Sequence, residues 1–197
     1  MATAVVTTTD VEKLLTICGD ARAIYMHYRA LFEPGNPHQI VFAKIAPIFF
    51  GDINLMFVKY IILEVCKLGD PAADFRGNEN LSIDFFMKHS DFSTDSKQFS
   101  HLQRRATTLQ NFIAKLKPAR DKLISHYDRN TVLSGVSGLG GAATDEWVEF
   151  WLDLQAFVAL LCERYLGEQI YLNGGAHSDA HWLVQMLQRS VGQEIYP

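Results

Sequence analysis

The sequence is poor in cysteine, with only three in 197 residues. Cys18, Cys66 and Cys162 are far apart, form no CxxC pair and lie among apolar neighbours. An odd number of widely separated cysteines argues against the disulfide framework of a small secreted domain and against the paired thiols of a zinc finger. We therefore predict three reduced thiols in the core of a cytoplasmic protein.

The chain also lacks an excess of positive charge. Its 18 lysines and arginines are outnumbered by 22 aspartates and glutamates, which gives a formal net charge of −4. Proteins that bind nucleic acid without sequence preference are basic as a whole, so the overall charge argues against that class. Any contact with RNA must then come from a local group of basic residues.

No stretch of the sequence has the character of a targeting or membrane-spanning segment. The first nine residues carry no charged side chain and no long apolar run, unlike a secretory signal. The most apolar stretch, residues 40–68, is interrupted by Lys44, Asp52, Lys59 and Glu64. A membrane-spanning helix needs about 20 mostly apolar residues. We therefore expect a soluble protein with no membrane partner.

What the sequence does contain is enough apolar material for a core, arranged with helical periodicity. Hydrophobic residues make up 48% of the chain, and no segment alternates in the manner of a strand. We predict an all-α fold, an up-and-down bundle of five to six helices in a single domain over residues 1–197. The predicted helices cover residues 9–32, 38–68 (kinked or split at Pro47 and Gly51), 81–88, 94–117, 144–166 and 178–190.

Residues 94–117 show the clearest periodicity. Apolar residues recur there at steps of three and four, which places them on one face of a helix. The resulting seam consists of Phe99, Leu102, Ala106, Leu109, Ile113 and Leu116. Pro118 should interrupt this helix and can begin the next one, because the first residue of a helix needs no N–H group.

The last third of the chain is predicted to hold a loop and two helices. Residues 129–143 are rich in glycine and serine, which indicates a loop. Thr144 is expected to cap the helix that follows it. The last helix is predicted to bury Trp182, Leu183, Met186 and Leu187.

Three patterns that often mark active sites are incomplete in this sequence. The glycine-rich segment 134–141 lacks the Gly-Lys-Ser/Thr ending of a phosphate-binding loop and follows no strand, which indicates a linker. His177 and His181 share a helix face, but no third ligand is evident, so we predict no metal site. No Gly-x-Ser-x-Gly elbow is present, which argues against a serine hydrolase.

The segment 120–129 combines charge with a disrupted seam. One heptad beyond Ile113, the position that should hold a core residue is occupied by Arg120. A guanidinium is costly to bury without a partner, so Arg120 should face a partner, a cleft or a ligand unless Pro118 changes the register. The nearby basic residues form a local patch of Lys115, Lys117, Lys122 and Arg129. A histidine beside such a patch, His126, can transfer a proton near neutral pH.

Arg120, Asp121 and His126 resemble the Arg-x(4–6)-His motif of the HEPN superfamily, in which a polar residue follows the arginine. The chain is similar to the abortive-infection, AbiU-like branch through this block and the aromatic segment 24–32. The resemblance implies an endoribonuclease of phage defence or of a toxin–antitoxin system that uses neither metal nor cofactor. It implies that His126 transfers a proton, Arg120 stabilises charge on the phosphate and Asp121 orients one of them.

The same resemblance implies a binding surface and protein partners. The residues that would bind the RNA substrate are Lys117, Lys122, Tyr127 and Arg129. Members of the superfamily usually dimerise so that two motifs line one cleft, and we therefore expect a homodimer. An antitoxin protein is a further expected partner. In some toxin members a tyrosine two residues after the histidine accepts a nucleotide. Asp128 stands at that position here, which argues against this form of regulation.

The spacing of arginine and histidine does not identify the motif by itself. Arg22 and His27 in the first helix have a spacing within the same range, and alanine follows that arginine. On an unbroken α-helix, Arg120 and His126 would point about 120° apart, so they can converge only at a helix break or across a dimer. Two other functions remain open. One is an inactive helical dimer that binds RNA, nucleotide or protein, and the other is a structural bundle in which Arg120 pairs with an internal carboxylate.

Overall fold

The computed structural model describes residues 5–33, 37–125, 128–134, 141–172 and 177–193. The side chains of His126, Tyr127 and His177 lie outside the described set, as does most of the glycine-rich segment. Within the described ranges the β structure is limited to an isolated bridge between Ala73 and Glu79. The all-α prediction is therefore confirmed.

The described residues form eight α-helices and one π-helix. The α-helices are α1 (Thr8–Phe32), α2 (His38–Ile45), α3 (Pro47–Leu68), α4 (Ile83–His89), α5 (Ser96–Ala119), α6 (Arg129–Ser134), α7 (Thr144–Leu166) and α8 (His177–Gln193). The π-helix Arg120–Ile124 follows α5 directly. The prediction of a loop over 129–143 is wrong for its first six residues, because the glycines begin only after them and leave α6 free to form.

The ends of several helices follow from single residues. The predicted break in the second helical region lies at Ala46, and Pro47 is the first residue of α3, where its missing N–H does no harm. Ser82 caps α4 as its Oγ accepts a hydrogen bond from the N–H of Phe85 at 3.3 Å. The prediction that Thr144 caps α7 is wrong: Thr144 is the first helical residue, and the N–H of Ala143 donates to the Glu146 carboxylate at 2.9 Å.

The chain forms two compact units. One consists of Met1–Cys18 and Ile62–Leu172, and the other of Gly19–Ile61 and Asn173–Pro197. Helices α1 and α3 each contribute residues to both units. A single domain over the whole chain stays a prediction.

The core of the first unit lies where α5 packs against α7. Five of the six residues of the predicted seam of α5 are buried, and Leu102, Leu109, Ile113 and Leu116 are no more than 1% exposed. Phe99, the first residue of the seam, is half-buried. Phe112 of α5 stacks on Phe150 of α7 with their ring centroids 4.7 Å apart. Burying each such side chain stabilises the fold by about 1.5–3 kcal/mol, so this helix pair is the main support for the segment that follows α5.

Two ion pairs link the same two helices, Lys115 with Glu146 and the more buried Arg105 with Asp153. Arg105 of α5 donates to the carboxylate of Asp153 in α7. Asp153 is only 8% exposed and is among the few buried charged side chains of the described residues. Arg105 stays 38% exposed along its side chain, so water screens the pair and its contribution is mainly to the register of α5 on α7.

The second unit has a smaller core. Leu31, Phe32 and Phe42 pack there with Ala180 and Val184 of α8. The prediction of the buried face of α8 is wrong for Trp182, Leu183 and Met186, which are 58%, 44% and 52% exposed. It is confirmed for Leu187, which is partly buried against this core. Small and branched residues, rather than the largest apolar ones, form the face of α8 that fits this core.

The cysteine prediction is confirmed for the thiols themselves. Cys18, Cys66 and Cys162 are free and buried. Burial raises the pKa of the Cys18 thiol well above its usual range, and the neighbouring Cys162 acts in the same direction, so these thiols stay protonated and unreactive.

None of the described helices combines the length and apolarity that a membrane crossing requires.

Candidate active site at the end of α5

The helix α5 changes its hydrogen-bonding pattern where the predicted motif begins. Pro118 does not start a new helix as predicted, and α5 runs through it to Ala119. The N–H of Ser125 then donates to the carbonyl of Arg120 at 2.8 Å, five residues back rather than four. Such π-turns are rare inside helices and frequent at functional sites. The helix therefore widens from Arg120 onward without breaking, and the predicted convergence of Arg120 with His126 stays a prediction, because His126 lies outside the described residues.

Arg120 lies at the edge of the core with two carboxylates on its guanidinium. Its side chain is 20% exposed. Its Nη1 donates to Asp70 Oδ1 at 2.6 Å, and its Nε donates to Asp121 Oδ1 at 2.7 Å. Ala119, 5% exposed, is buried in the core beside it. The arginine thus avoids an unpaired burial by reaching across to a residue fifty positions earlier in the chain.

The two carboxylates determine the charge state of this site. Burial by itself would lower the pKa of the Arg120 guanidinium, but the hydrogen bonds to Asp70 and Asp121 outweigh it and raise that pKa. Burial also raises the pKa of the nearby Cys66 thiol to about 11, although the charge of Arg120 acts in the opposite direction. Arg120 is therefore a fixed cation beside a neutral thiol at every physiological pH.

The turn that contains Asp70 packs closely against α5. Lys117 Nζ donates to the carbonyl of Gly69 at 3.1 Å. A Cβ on Gly69 would lie 2.6 Å from Ile113 Cγ2, closer than any real Cβ contact. Glycine at 69 is thus what allows the turn to approach α5 closely enough for Asp70 to reach Arg120.

The substitution Gly69→Ala should lower the free energy of unfolding by about 1–3 kcal/mol, because Ile113 is 1% exposed and has little room to yield. Urea unfolding followed by circular dichroism measures the change. Gly19→Ala in α1 is the matched control, since a Cβ there would meet nothing within 4 Å and should stabilise the helix by about 0.5–1 kcal/mol. Equal stability of both variants would contradict the close approach.

The structure brings together only some of the predicted site residues. Asp121 is 54% exposed along its side chain and binds Arg120, and Lys117 is held by the Gly69 carbonyl. Lys122 and Arg129 are exposed and have no ion-pair partner within the described residues. The predicted roles of all these residues, with those of His126 and Tyr127, stay predictions.

Asp70 is the site residue that the sequence did not reveal. The Gly-Asp-Pro sequence at 69–71 indicated only the end of a helix. No local pattern connects that turn to a motif fifty residues later, because the pairing depends on how the turn packs against α5. A carboxylate in a helix-ending turn is too common to be a signal.

Other groups in the described residues offer less chemistry. A cavity of about 220 Å³ in the second unit is lined by Ile24, Ile53, Met56, Phe57 and Tyr60. It presents four apolar side chains and one phenol, and no pair of groups that could exchange a proton. Among the described residues no three of histidine, cysteine, aspartate and glutamate are grouped as metal ligands.

Comparison with known proteins matches most of the chain to a family. A family model described as AbiU2, one of the HEPN models, matches residues 10–165. The matched range contains the seam of α5, Arg120, Asp121 and His126, as well as Asp70. Searches of the curated proteins and of the solved structures gave no match.

Proposed function

Because this chain belongs to the HEPN AbiU2 family, we propose that it is a metal-independent endoribonuclease of phage defence or of a toxin–antitoxin system. In this proposal Arg120 and His126 act across the cleft of a homodimer. The observation that carries the proposal is the guanidinium of Arg120, which two carboxylates orient at the first residue of a π-helix.

Arg120 is suited to stabilise a phosphate that gains negative charge. An arginine has five N–H donors in a fixed plane, and the bonds to Asp70 and Asp121 use two of them. The other three can donate to phosphate oxygens. Because the side chain is already held in place, little reorganisation is needed when the charge develops.

The reaction needs no metal if the ribose itself supplies the nucleophile. The 2′-oxygen attacks the adjacent phosphorus and forms a cyclic phosphate, and the bond from phosphorus to the 5′-oxygen breaks. The proton of the 2′-hydroxyl passes to a base, and the departing 5′-oxygen receives a proton from an acid. His126 can serve in either role. DNA lacks the 2′-hydroxyl and should not be cut.

A homodimer would supply both proton-transfer groups at once. One histidine cannot accept the proton of the nucleophile and donate to the leaving group in the same step without a proton shuttle. Two copies of His126 facing one scissile phosphate can divide these tasks. A two-fold axis through such a cleft would also place two copies of Arg120 near the same phosphate.

A second function is favoured by the same ion pairs. Asp70 and Asp121 together carry two negative charges against the one positive charge of Arg120. This local excess of negative charge opposes the approach of a phosphate. The alternative is therefore a catalytically inactive helical dimer that binds RNA, nucleotide or a protein such as an antitoxin, with Arg120 fixing the turn at residues 69–70.

Purified protein incubated with cellular RNA in a chelating buffer should cut it and leave 2′,3′-cyclic phosphate ends. The double variant Arg120→Ala/His126→Ala should leave the RNA intact, because it lacks both the charge stabiliser and the proton-transfer group. Gel electrophoresis and end-group analysis measure the products, with DNA of the same sequence as a control. If the double variant still cuts RNA, or if neither protein cuts it, the ribonuclease proposal is contradicted. The catalytically inactive dimer is then the function that stands.

A further inference from the structure

Helix α5 contains no acidic residue. Its 24 residues include five lysines and arginines and neither aspartate nor glutamate. At the average of the chain, 22 acidic residues in 197, a segment of this length would hold between two and three. A solvent-exposed helix usually carries both signs of charge, often paired one turn apart. The composition of α5 is therefore unusual in a protein whose net charge is −4.

The positive charges of α5 fall into two groups. Arg105 and Lys115 are neutralised by Asp153 and Glu146 of α7, and Lys117 is bound to the Gly69 carbonyl. Two cations remain. Lys97 and Arg104 are exposed and have no ion-pair partner within the described residues.

These two cations lie on the outermost face of the helix. Lys97, Arg104 and Asn111 follow one another at intervals of seven residues, on the side opposite the buried Leu102 and Leu109. Lys122, in the π-helix beyond Arg120, is exposed as well. At about 1.5 Å per residue, α5 extends about 33 Å from Lys97 to Ala119, the residue before Arg120, long enough for several nucleotides.

Neutral polar groups occupy the rest of this face. They are Ser100, Gln103, Thr107, Thr108, Gln110 and Asn111, and all are exposed. The hydroxyls of Ser100, Thr107 and Thr108 donate to backbone carbonyls one turn earlier. Their oxygens can therefore accept hydrogen bonds from outside, while the side-chain amides can both donate and accept.

We propose that this face of α5, with Lys97 and Arg104, binds the backbone of single-stranded RNA and leads it to Arg120. The exposed Lys122 of the π-helix adds a third cation, and the three together are hereafter the α5 track. The direction toward Arg120 rests on the proposed function. Cations spaced along a helix that itself carries no carboxylate attract phosphates, and the interleaved hydroxyls and amides suit sugar hydroxyls and base edges. Glu146 and Glu149 of α7 border the same surface depression as Thr108 and Asn111, so the strand lies on the side of Gln103 and Thr107.

The salt dependence of binding tests this assignment. The probe is a fluorescent 12-nucleotide RNA with 2′-O-methyl groups, which cannot undergo cleavage by its own 2′-oxygen. With three phosphates neutralised by Lys97, Arg104 and Lys122, the slope of log affinity against log salt should be about −2. The affinity should then fall about 18-fold between 50 and 200 mM salt. Lys97→Ala/Arg104→Ala should reduce that fall to about threefold, because only one of the three contacts remains.

Lys13→Ala/Lys44→Ala is the matched control, since it removes the same charge from exposed lysines of α1 and α2. This control should keep the slope of the unmodified protein, and circular dichroism should show the same helix content in all three. An equal loss in both variants, no loss in Lys97→Ala/Arg104→Ala, or no binding by the unmodified protein would overturn the α5 track. If polyglutamate displaces the probe as readily as unlabelled RNA does, the RNA assignment is contradicted, and the face instead binds an acidic protein.

The two proposals can fail separately. If the protein binds the probe through Lys97 and Arg104 but cuts no RNA, the α5 track is supported and the ribonuclease function is contradicted. If the variant Lys97→Ala/Arg104→Ala cuts RNA with the same kcat/KM as the unmodified protein, the ribonuclease function is supported and the α5 track is contradicted.

Discussion

Replacing Arg120 by lysine should lower the rate constant of RNA cleavage by about 10²–10³-fold and leave the helix content unchanged. Lysine keeps the positive charge but presents a single ammonium in place of a planar fork. It can bind one of the two carboxylates that now hold Arg120, at Asp70 and Asp121. Its remaining N–H groups share one nitrogen and cannot form the planar, two-nitrogen contact with a phosphate that a guanidinium forms.

The measurement is single-turnover cleavage of a defined RNA, with circular dichroism to check the fold. Arg189→Lys in α8 is a suitable control, because it makes the same substitution at an exposed position and should leave the rate unchanged. A rate in Arg120→Lys equal to that of the unmodified protein would show that only charge is needed at this position, and the oriented guanidinium would lose its role.

Replacing Phe150 by alanine should lower the free energy of unfolding by about 3–5 kcal/mol. Phe150 is 2% exposed and stacks on Phe112, with the edges of Trp147 and Trp151 also against it. Removing the ring opens a cavity at the centre of the α5–α7 interface, and the three surrounding aromatic rings cannot easily close it. A loss of this size is a large part of the stability of an ordinary domain.

Guanidinium unfolding with and without the substitution measures this loss. Leu152→Ala is the control on the same helix, because Leu152 is 61% exposed and its removal should change the stability by no more than about 0.5 kcal/mol. If Phe150→Ala costs less than Leu152→Ala, the packing of α7 on α5 described above is wrong. If it has the expected cost, RNA cleavage should also be lost at temperatures where the variant unfolds.

The sequence predicted those parts of the fold that depend on local patterns. The seam of α5 and the break before Pro47 follow from periodicity and from the missing N–H of proline, and both are confirmed. Periodicity failed in α8, where Trp182 satisfies the apolar pattern and is nevertheless 58% exposed. A helical pattern marks which residues share a face, whereas the partner helix decides which face is buried.

The site was predictable only in part for the same reason. The misfit of Arg120 in the seam was visible in the sequence, and a partner for it was expected. That the partner is Asp70, on a turn fixed by the contact of Gly69 with Ile113, depends on tertiary packing over fifty residues. The π-helix likewise could not be read from the sequence, since Pro118 indicated a new helix start and α5 instead continues through it.

The π-helix Arg120–Ile124 makes the number of residues in this segment more important than their identity. Its widened turn spans five residues from Arg120 to Ser125, one more than an α-helical turn. Deleting one exposed residue of the segment, Lys122, would allow an ordinary α-helical turn to form in place of the widened one. Substitutions within the segment change one side chain at a time, whereas a change in its length changes the form of the turn itself. Insertions and deletions at 121–124 are therefore the changes that would remove the π-helix as a whole.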